Sequence, residues 1–183
     1  NERERLRFMC GRFLLTHPND TMTHVFDAVP GNDLPAVPRF NICPTQNVDV
    51  VTAGRRLQAM RWGFIPAWYK GATDGPLIIN ARSDTIATKP AFRDAVRERR
   101  CIIPASGFYE WSTGEGGARL PWLITRSDGA PMAFAAVWSA WEGGGSCAPG
   151  SSAEGGQLRR EGEHEPQQSQ QHERAPVRQG RPL

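Results

Sequence analysis

The apolar positions of the chain fall in short clusters, punctuated by Gly, Pro, Asn and Asp, rather than in long helical stripes. Residues 10–15 read as a short strand. A Pro/Gly/Asn-rich stretch at 30–39 then leads into RFNICPTQ, where Pro44 should end an extended segment. VDVVT at 48–52 has the β-branched content of a buried strand. Residues 57–64, LQAMRWGF, supply its partner across the Ala-Gly-Arg turn at 53–55, so a β-hairpin is expected. From Pro90 the period changes. Phe92, Ala95 and Val96 recur at helical spacing while Arg93, Arg97 and Arg100 take the other side, which predicts a helix over about 90–99. Beyond it, CIIPASGFYEW, LPWLITR and PMAFAAVW read as strands separated by Gly-rich turns at 113–117 and by Ser-Asp-Gly at 127–129. The pattern predicts a domain dominated by β-structure.

Composition changes this picture mainly at the two ends. A chain of 183 residues can bury one substantial core and is short for two. All 16 aromatic residues lie at or before Trp141, and the 42 residues after it contain none. EGGGSCAPGSSAEGG and the Gln/Glu/Arg-rich run that follows have no hydrophobic period, so composition predicts that 142–183 is disordered. The charged NERERLRF at 1–8 reads as a leader or upstream extension ahead of Met9. The net charge is +3, with 17 basic and 13 acidic residues up to Trp141. That balance permits a nucleic-acid partner without requiring one. No apolar run approaches the roughly 18 residues of a membrane span, and the amino terminus lacks a signal-peptide core, so an intracellular protein is expected. Cys10, Cys43, Cys101 and Cys147 show no CxxC or Cys/His spacing. Neither a metal site nor a disulfide framework is expected, which leaves reactivity as the special role for a cysteine.

Met9-Cys10-Gly11-Arg12-Phe13 carries the first candidate chemistry. If translation starts at Met9 and the methionine is removed, or if residues 1–9 are cleaved away, Cys10 presents an α-amine and a thiol on adjacent carbons. An α-amino group titrates near 7.7–8.0, roughly two units below a lysine, so much of it is nucleophilic at neutral pH. It attacks an aldehyde to give an imine, and the thiol then closes a five-membered thiazolidine. While residues 1–9 stay attached, the nitrogen is an amide and this chemistry is off. A lone cysteine on a strand is otherwise ordinary core material.

Four further segments follow in order: Arg39-Phe40-Asn41-Ile42-Cys43-Pro44-Thr45-Gln46, Trp62-Gly63-Phe64-Ile65-Pro66-Ala67-Trp68, Asn80-Ala81-Arg82-Ser83-Asp84-Thr85 and Gly107-Phe108-Tyr109-Glu110-Trp111. With the Cys10 segment they closely resemble the SRAP family, the SOS-response-associated peptidases also called abasic-site processing proteins. The resemblance covers roughly Met9 to Trp141. It implies a single α+β domain over 9–141 with a twisted, barrel-like, mainly antiparallel β core, a few helices and a basic groove for single-stranded DNA. It implies a monomer that uses no metal or diffusible cofactor and cross-links to abasic sites. Under it Cys10 is the nucleophile and Asn80 orients the cysteine and the opened sugar. Glu110 is the acid/base for ring opening and imine formation. Arg12, Arg39 and Arg82 correspond to arginines that face the DNA backbone. Trp68, following Pro66, is similar to an aromatic wedge on which bases stack. Trp62 and Trp111 are assigned to the core.

The carboxyl-terminal part departs from this pattern. The family continues with another strand and a histidine motif; here Gly, Ser, Gln and Glu replace the strand, yet His172-Glu173-Arg174-Ala175-Pro176-Val177 matches the motif at all but the alanine. His172 is then the expected general acid/base beside Glu110. A reading-frame change beginning near Gly143 and a divergent terminus both account for the departure, and either leaves the domain incomplete. The expected function is a DNA-damage-response protein that binds single-stranded DNA and forms a thiazolidine cross-link through Cys10. Autoproteolytic removal of the leader and a lyase step accompany it. The location is the cytoplasm or nucleoid in a bacterium and the nucleus in a eukaryote. The alternatives are a thiol peptidase with other substrates, or a truncated relative that binds DNA through Arg12, Arg82 and Trp68 without cross-linking.

Overall fold

The computed structural model describes residues 10–31, 33–141, 144–151 and 158–161. In chain order the first elements are β1 (Phe13–Leu15), α1 (Asn19–Val25), β2 (Val29–Pro30), β3 (Arg39–Ile42), β4 (Asn47–Thr52), β5 (Arg56–Trp62) and β6 (Ala81–Arg82). They continue with α2 (Arg93–Glu98), β7 (Arg100–Ala105), β8 (Gly107–Thr113), β9 (Arg119–Arg126), β10 (Met132–Trp141), β11 (Gly144–Ser151) and β12 (Leu158–Glu161). The architecture is α+β, with short helices set against an antiparallel-rich β core.

The expected hairpin is the nucleus of that core. β4 and β5 pair antiparallel with Val51 opposite Leu57, and Arg55 in the turn takes a positive φ of 54°. β7 pairs with β4, β10 with β7 and β11 with β10, all antiparallel, and β11 then returns to lie parallel to β5. Five strands therefore close on themselves as a barrel, and closure leaves no open edge among them. A second sheet, β12-β9-β8-β1-β3, is antiparallel throughout. Aromatic side chains join the two layers. Phe13 of β1 meets Trp62 of β5 at 5.2 Å and Phe134 of β10 at 5.7 Å, and Phe108 of β8 meets Phe134 at 5.8 Å. Each buried ring contributes about 1.5–3 kcal/mol by leaving water, so this chain fixes how the layers sit.

Several elements differ from the sequence expectation. CIIPASGFYEW is not one strand; it turns a corner at Ser106 and passes from the barrel (β7) into the second sheet (β8). The Ser106 hydroxyl accepts the Thr16 N–H at 2.8 Å and its own N–H donates to the Leu14 carbonyl at 2.8 Å, so the corner is hydrogen-bonded to β1 and its extension. Gly107 follows because a Cβ there would lie 2.8 Å from the Ile124 carbonyl oxygen. The helix expected over 90–99 is confined to Arg93–Glu98, since Pro90 to Phe92 form turns that lead into it. α1 has no counterpart in the sequence reading, because its seven residues bury only Met22.

The largest difference lies beyond Trp141. Composition predicts disorder from 142, yet Gly144–Ser151 is the strand that closes the barrel. Its smallness is the reason it escapes a hydrophobicity count. Ser146, Cys147 and Ala148 are fully buried, and Gly145 passes so close to Met60 that a Cβ would stand 3.0 Å from its Cγ. The tight approach to β5 selects side chains of minimal bulk, not apolar ones. His172 and the 172–177 motif lie outside the described residues, as do residues 1–9.

Being central in the barrel, β4 is buried along Val48–Val51, and this places Asp49 in the core at 2% exposure with neither carboxylate oxygen hydrogen-bonded. Burial pushes its carboxyl up from 3.8 to about 6, and the Arg39 guanidinium pulls it back only in part. The folded state thus holds this proton more tightly than the unfolded chain. The favourable contribution is full below about pH 4 and is lost as pH rises through about 6, leaving a penalty of about 3 kcal/mol at alkaline pH. Asp49→Asn is expected to melt higher than the parent at pH 8, with the difference shrinking as pH falls to 5. Denaturant titrations at the two pH values measure it, and equal gaps at both would exclude Asp49 as the titrating group.

Candidate functional site

Cys10 lies at the amino-terminal end of β1, where the β1–β8 register carries on past the last ladder pair. Phe13 faces Phe108, and one step further the Tyr109 N–H donates to the Arg12 carbonyl at 2.9 Å. The sequence strand 10–15 is regular only over Phe13–Leu15, and Cys10 to Arg12 precede it outside the assigned strand. The Asn80 side-chain amide donates to the Cys10 carbonyl at 3.0 Å, and the thiol donates to the Arg12 carbonyl at 3.4 Å. Asn80 immediately precedes β6, which pairs with the end of β11, so the strand that closes the barrel also sets the residue beneath Cys10.

Burial governs the electrostatics of this corner. Burial pushes the Cys10 thiol up to about 12; its hydrogen bond to the Arg12 carbonyl offsets this in part and the charge of Glu110 adds to it. Glu110 is half-buried, and its Oε1 has no hydrogen-bond partner. Desolvation raises its pKa above the ordinary carboxyl value, against a lowering by the Trp111 backbone N–H. The arrangement therefore holds a neutral thiol beside a carboxyl whose proton is retained to higher pH than usual. Such a pair can move a proton, and it favours neutral nucleophiles over a free thiolate. Among the described residues no group of His, Cys, Asp and Glu has the geometry to hold a metal ion.

The four expected DNA-facing residues occupy four different situations. Arg12 is exposed and donates to the Asn41 side-chain oxygen at 3.3 Å. Arg39 is half-buried and tied down, donating to the Asn47 carbonyl at 2.6 Å and to Gln46 Oε1 at 3.1 Å. Arg82 forms a two-point pair with Asp84, with Nε on Oδ1 at 3.1 Å. Trp68 is 59% exposed, edge-on to Tyr69 at 6.3 Å. Trp62 is fully buried, as expected, and donates from its indole N–H to the Ile79 carbonyl at 2.9 Å. Trp111 is not a core residue. It is 39% exposed because β8 extends past the cover of the barrel from that residue on.

Two residues that sequence reasoning left without a role stand in the same corner. Asn41 accepts from Arg12, and the Tyr109 hydroxyl donates to the Phe40 carbonyl at 2.9 Å, binding β3 to β8 across β1. Both sit inside the quoted motifs, and their polarity at otherwise strand-like positions was the available signal. No helix among the described residues is long and apolar enough to cross a membrane.

The sequence matches the family described as SOS response associated peptidase (SRAP) over residues 9–177. It is 38% identical over 139 residues to the abasic site processing protein YoaM of Bacillus subtilis, covering 73% of this chain and 60% of that protein. The abasic site processing protein YedK of Escherichia coli is 32% identical over 138 residues, covering 72% of this chain and 60% of that one. The chain thus spans about three fifths of the length of these relatives. A crystal structure of a Bacteroides thetaiotaomicron protein shares the fold with a TM-score of 0.66 at 22% identity, covering 77% of this chain and 67% of that one. A second, from Bordetella bronchiseptica, gives 0.61 at 25% identity over 83% of this chain and 82% of that one. On the match over residues 9–177 and on these relatives, the chain belongs to the SRAP family.

Proposed function

We propose that the chain processes abasic sites in single-stranded DNA by forming a thiazolidine cross-link through Cys10 once residues 1–9 have been removed. The observation that carries this is the grouping of Cys10, Asn80 and Glu110 in one desolvated corner, with the Asn80 amide on the Cys10 carbonyl. The name of these relatives, abasic site processing protein, supports the same substrate.

The chemistry follows from the groups present. Ring opening breaks the C1′–O4′ bond of the deoxyribose: Glu110 in its acid form protonates the ring oxygen, the C1′ hydroxyl releases its proton to water, and a C1′ aldehyde results. The freed α-amine of Cys10 adds to C1′, and the carbinolamine loses water to give an imine. The thiol then adds to the imine carbon: a C–S bond closes the five-membered ring, and the sulfur's proton passes to the nitrogen. A thiol held neutral suits this order, because the amine attacks first and the thiol must deliver a proton as it closes. Removal of the leader is hydrolysis of the Met9–Cys10 amide, one water added across one bond, with Glu110 as proton carrier. His172 is proposed to share the proton transfers, Arg12, Arg39 and Arg82 to meet phosphates, and Trp68 to stack a base beside the lesion.

The test incubates a protein that begins at Cys10, and in parallel the full chain, with a single-stranded oligonucleotide bearing one abasic site. A band that survives denaturation is expected from the first. The full chain should give it only in proportion to the new amino terminus seen by mass spectrometry. A folded protein that binds the oligonucleotide without the band would leave a non-covalent DNA binder; leader removal without DNA binding would leave a peptidase.

A further inference from the structure

The segment that carries Trp68 is anchored by two buried serines to which the motif assigns nothing. Ser139 on β10 and Ser146 on β11 stand opposite each other in the ladder, 6% and 0% exposed, with their hydroxyl oxygens 2.9 Å apart. Both reach one residue of the 63–66 segment. The Ile65 N–H donates to Ser146 Oγ at 2.9 Å, and Ser139 Oγ donates to the Ile65 carbonyl at 2.6 Å. Only one direction satisfies every group: Ile65 N–H to Ser146, the Ser146 hydroxyl to Ser139, and the Ser139 hydroxyl back to the Ile65 carbonyl. Each hydroxyl donates once and accepts once, so the ring closes with no buried donor or acceptor left over.

The ring sits at the base of the turn that presents Trp68. Gly63 N–H donates to the Cys147 carbonyl at 2.9 Å, Phe64 packs on Phe92 at 5.1 Å, and Pro66 is fully buried. The chain then reverses, with the Tyr69 N–H on the Pro66 carbonyl at 3.0 Å, so that Ala67 and Trp68 form an exposed tip. Losing one serine leaves an amide or a carbonyl of Ile65 unsatisfied in a dry interior, which frees the residue three positions before Trp68.

We propose that Ser139 and Ser146 are positioning residues for DNA binding: their hydroxyl ring holds Ile65 so that the rigid tip offers Trp68 pre-oriented to a base. This rests on the assignment of Trp68 as a stacking platform, and it gives the barrel-closing strand β11 a second role. A pre-oriented ring avoids the ordering cost that a mobile one meets on binding.

The test measures the affinity of the full chain for undamaged single-stranded DNA at fixed salt, for the parent, Trp68→Ala, Ser146→Ala and the double variant. Trp68→Ala is expected to weaken binding about 5- to 150-fold, as loss of one base stack does. Ser146→Ala should reproduce much of that loss alone and add nothing in the Trp68→Ala background, a non-additivity that a general loss of stability does not produce. Ser146→Thr and Ser146→Val add matched bulk and differ in the hydroxyl; the threonine variant should bind more tightly than the valine one, at equal helix and strand content by circular dichroism. Additive losses, equal binding by threonine and valine, or a Ser146→Ala variant as tight as the parent would each overturn the inference. A Trp68→Ala variant as tight as the parent overturns instead the assignment of Trp68, and with it the purpose of the ring.

Discussion

A protein that begins at Cys10→Ser is expected to lose the denaturation-resistant DNA adduct, to about one hundredth of the parent's yield or less, while keeping an imine that borohydride can trap. The two outcomes separate the two nucleophiles of one residue. The α-amine is retained by serine, so addition to the aldehyde and loss of water proceed as before. Ring closure is not retained, because a hydroxyl is a far poorer nucleophile than sulfur toward the imine carbon, and the imine reverts in water. The geometry favours this division: the thiol is buried, donates to the Arg12 carbonyl and is pushed up to about 12, so it does not act as a free thiolate that reaches the aldehyde first. The substitution exchanges sulfur for oxygen in a site 6% exposed, a cost of about 1–2 kcal/mol that a melting curve reads directly. Equal yields of heat-stable adduct from the serine protein would remove the thiol from the mechanism. A lost adduct with no trappable imine would instead place the first attack on sulfur.

How far the sequence discloses this site depends on which physical signal each part leaves. Cys10, Asn80 and Glu110 stand in three separate segments of the chain, and in the structure the Asn80 amide meets the Cys10 carbonyl while the charge of Glu110 acts on the Cys10 thiol. The β4–β5 hairpin announces itself through Val48 to Thr52 and the turn at 53–55. The corner at Ser106 leaves no such mark. A strand that changes sheets keeps the same apolar content on both sides, and only the contacts of Ser106 and Gly107 with β1 and β9 reveal the turn. β11 inverts the usual rule, since its place against Met60 and Trp62 demands Gly, Ser, Cys and Ala, the residues a compositional reading takes for a linker. Arg39 shows a third limit. Its motif position says arginine, but nothing local says that its guanidinium is held by Asn47 and Gln46 and set beside the buried Asp49.

The role of Glu110 can be separated from its charge, because the two act on Cys10 in opposite directions. Glu110→Gln keeps the shape and burial of the side chain but can neither give nor take a proton, so the rate of cross-linking is expected to fall about 10²- to 10⁴-fold. The same change removes the negative charge that helps to raise the Cys10 thiol, so alkylation of Cys10 by iodoacetamide should become faster, read on its own peptide by mass spectrometry apart from that of the half-exposed Cys43. Slower cross-linking with a more reactive thiol is the signature of lost proton transfer. A purely electrostatic or structural role for Glu110 predicts that both rates move together. The pH profile gives the independent sign. Desolvation keeps the Glu110 proton to higher pH than an ordinary carboxyl, so the parent's ring-opening step should decline on the alkaline side of that raised pKa, and the glutamine variant should show no such limb. A glutamine protein that cross-links at the parent's rate, or one whose rate keeps the same alkaline limb, would transfer the acid/base role to another group, and the expectation at 172–177 names His172 as the first to replace.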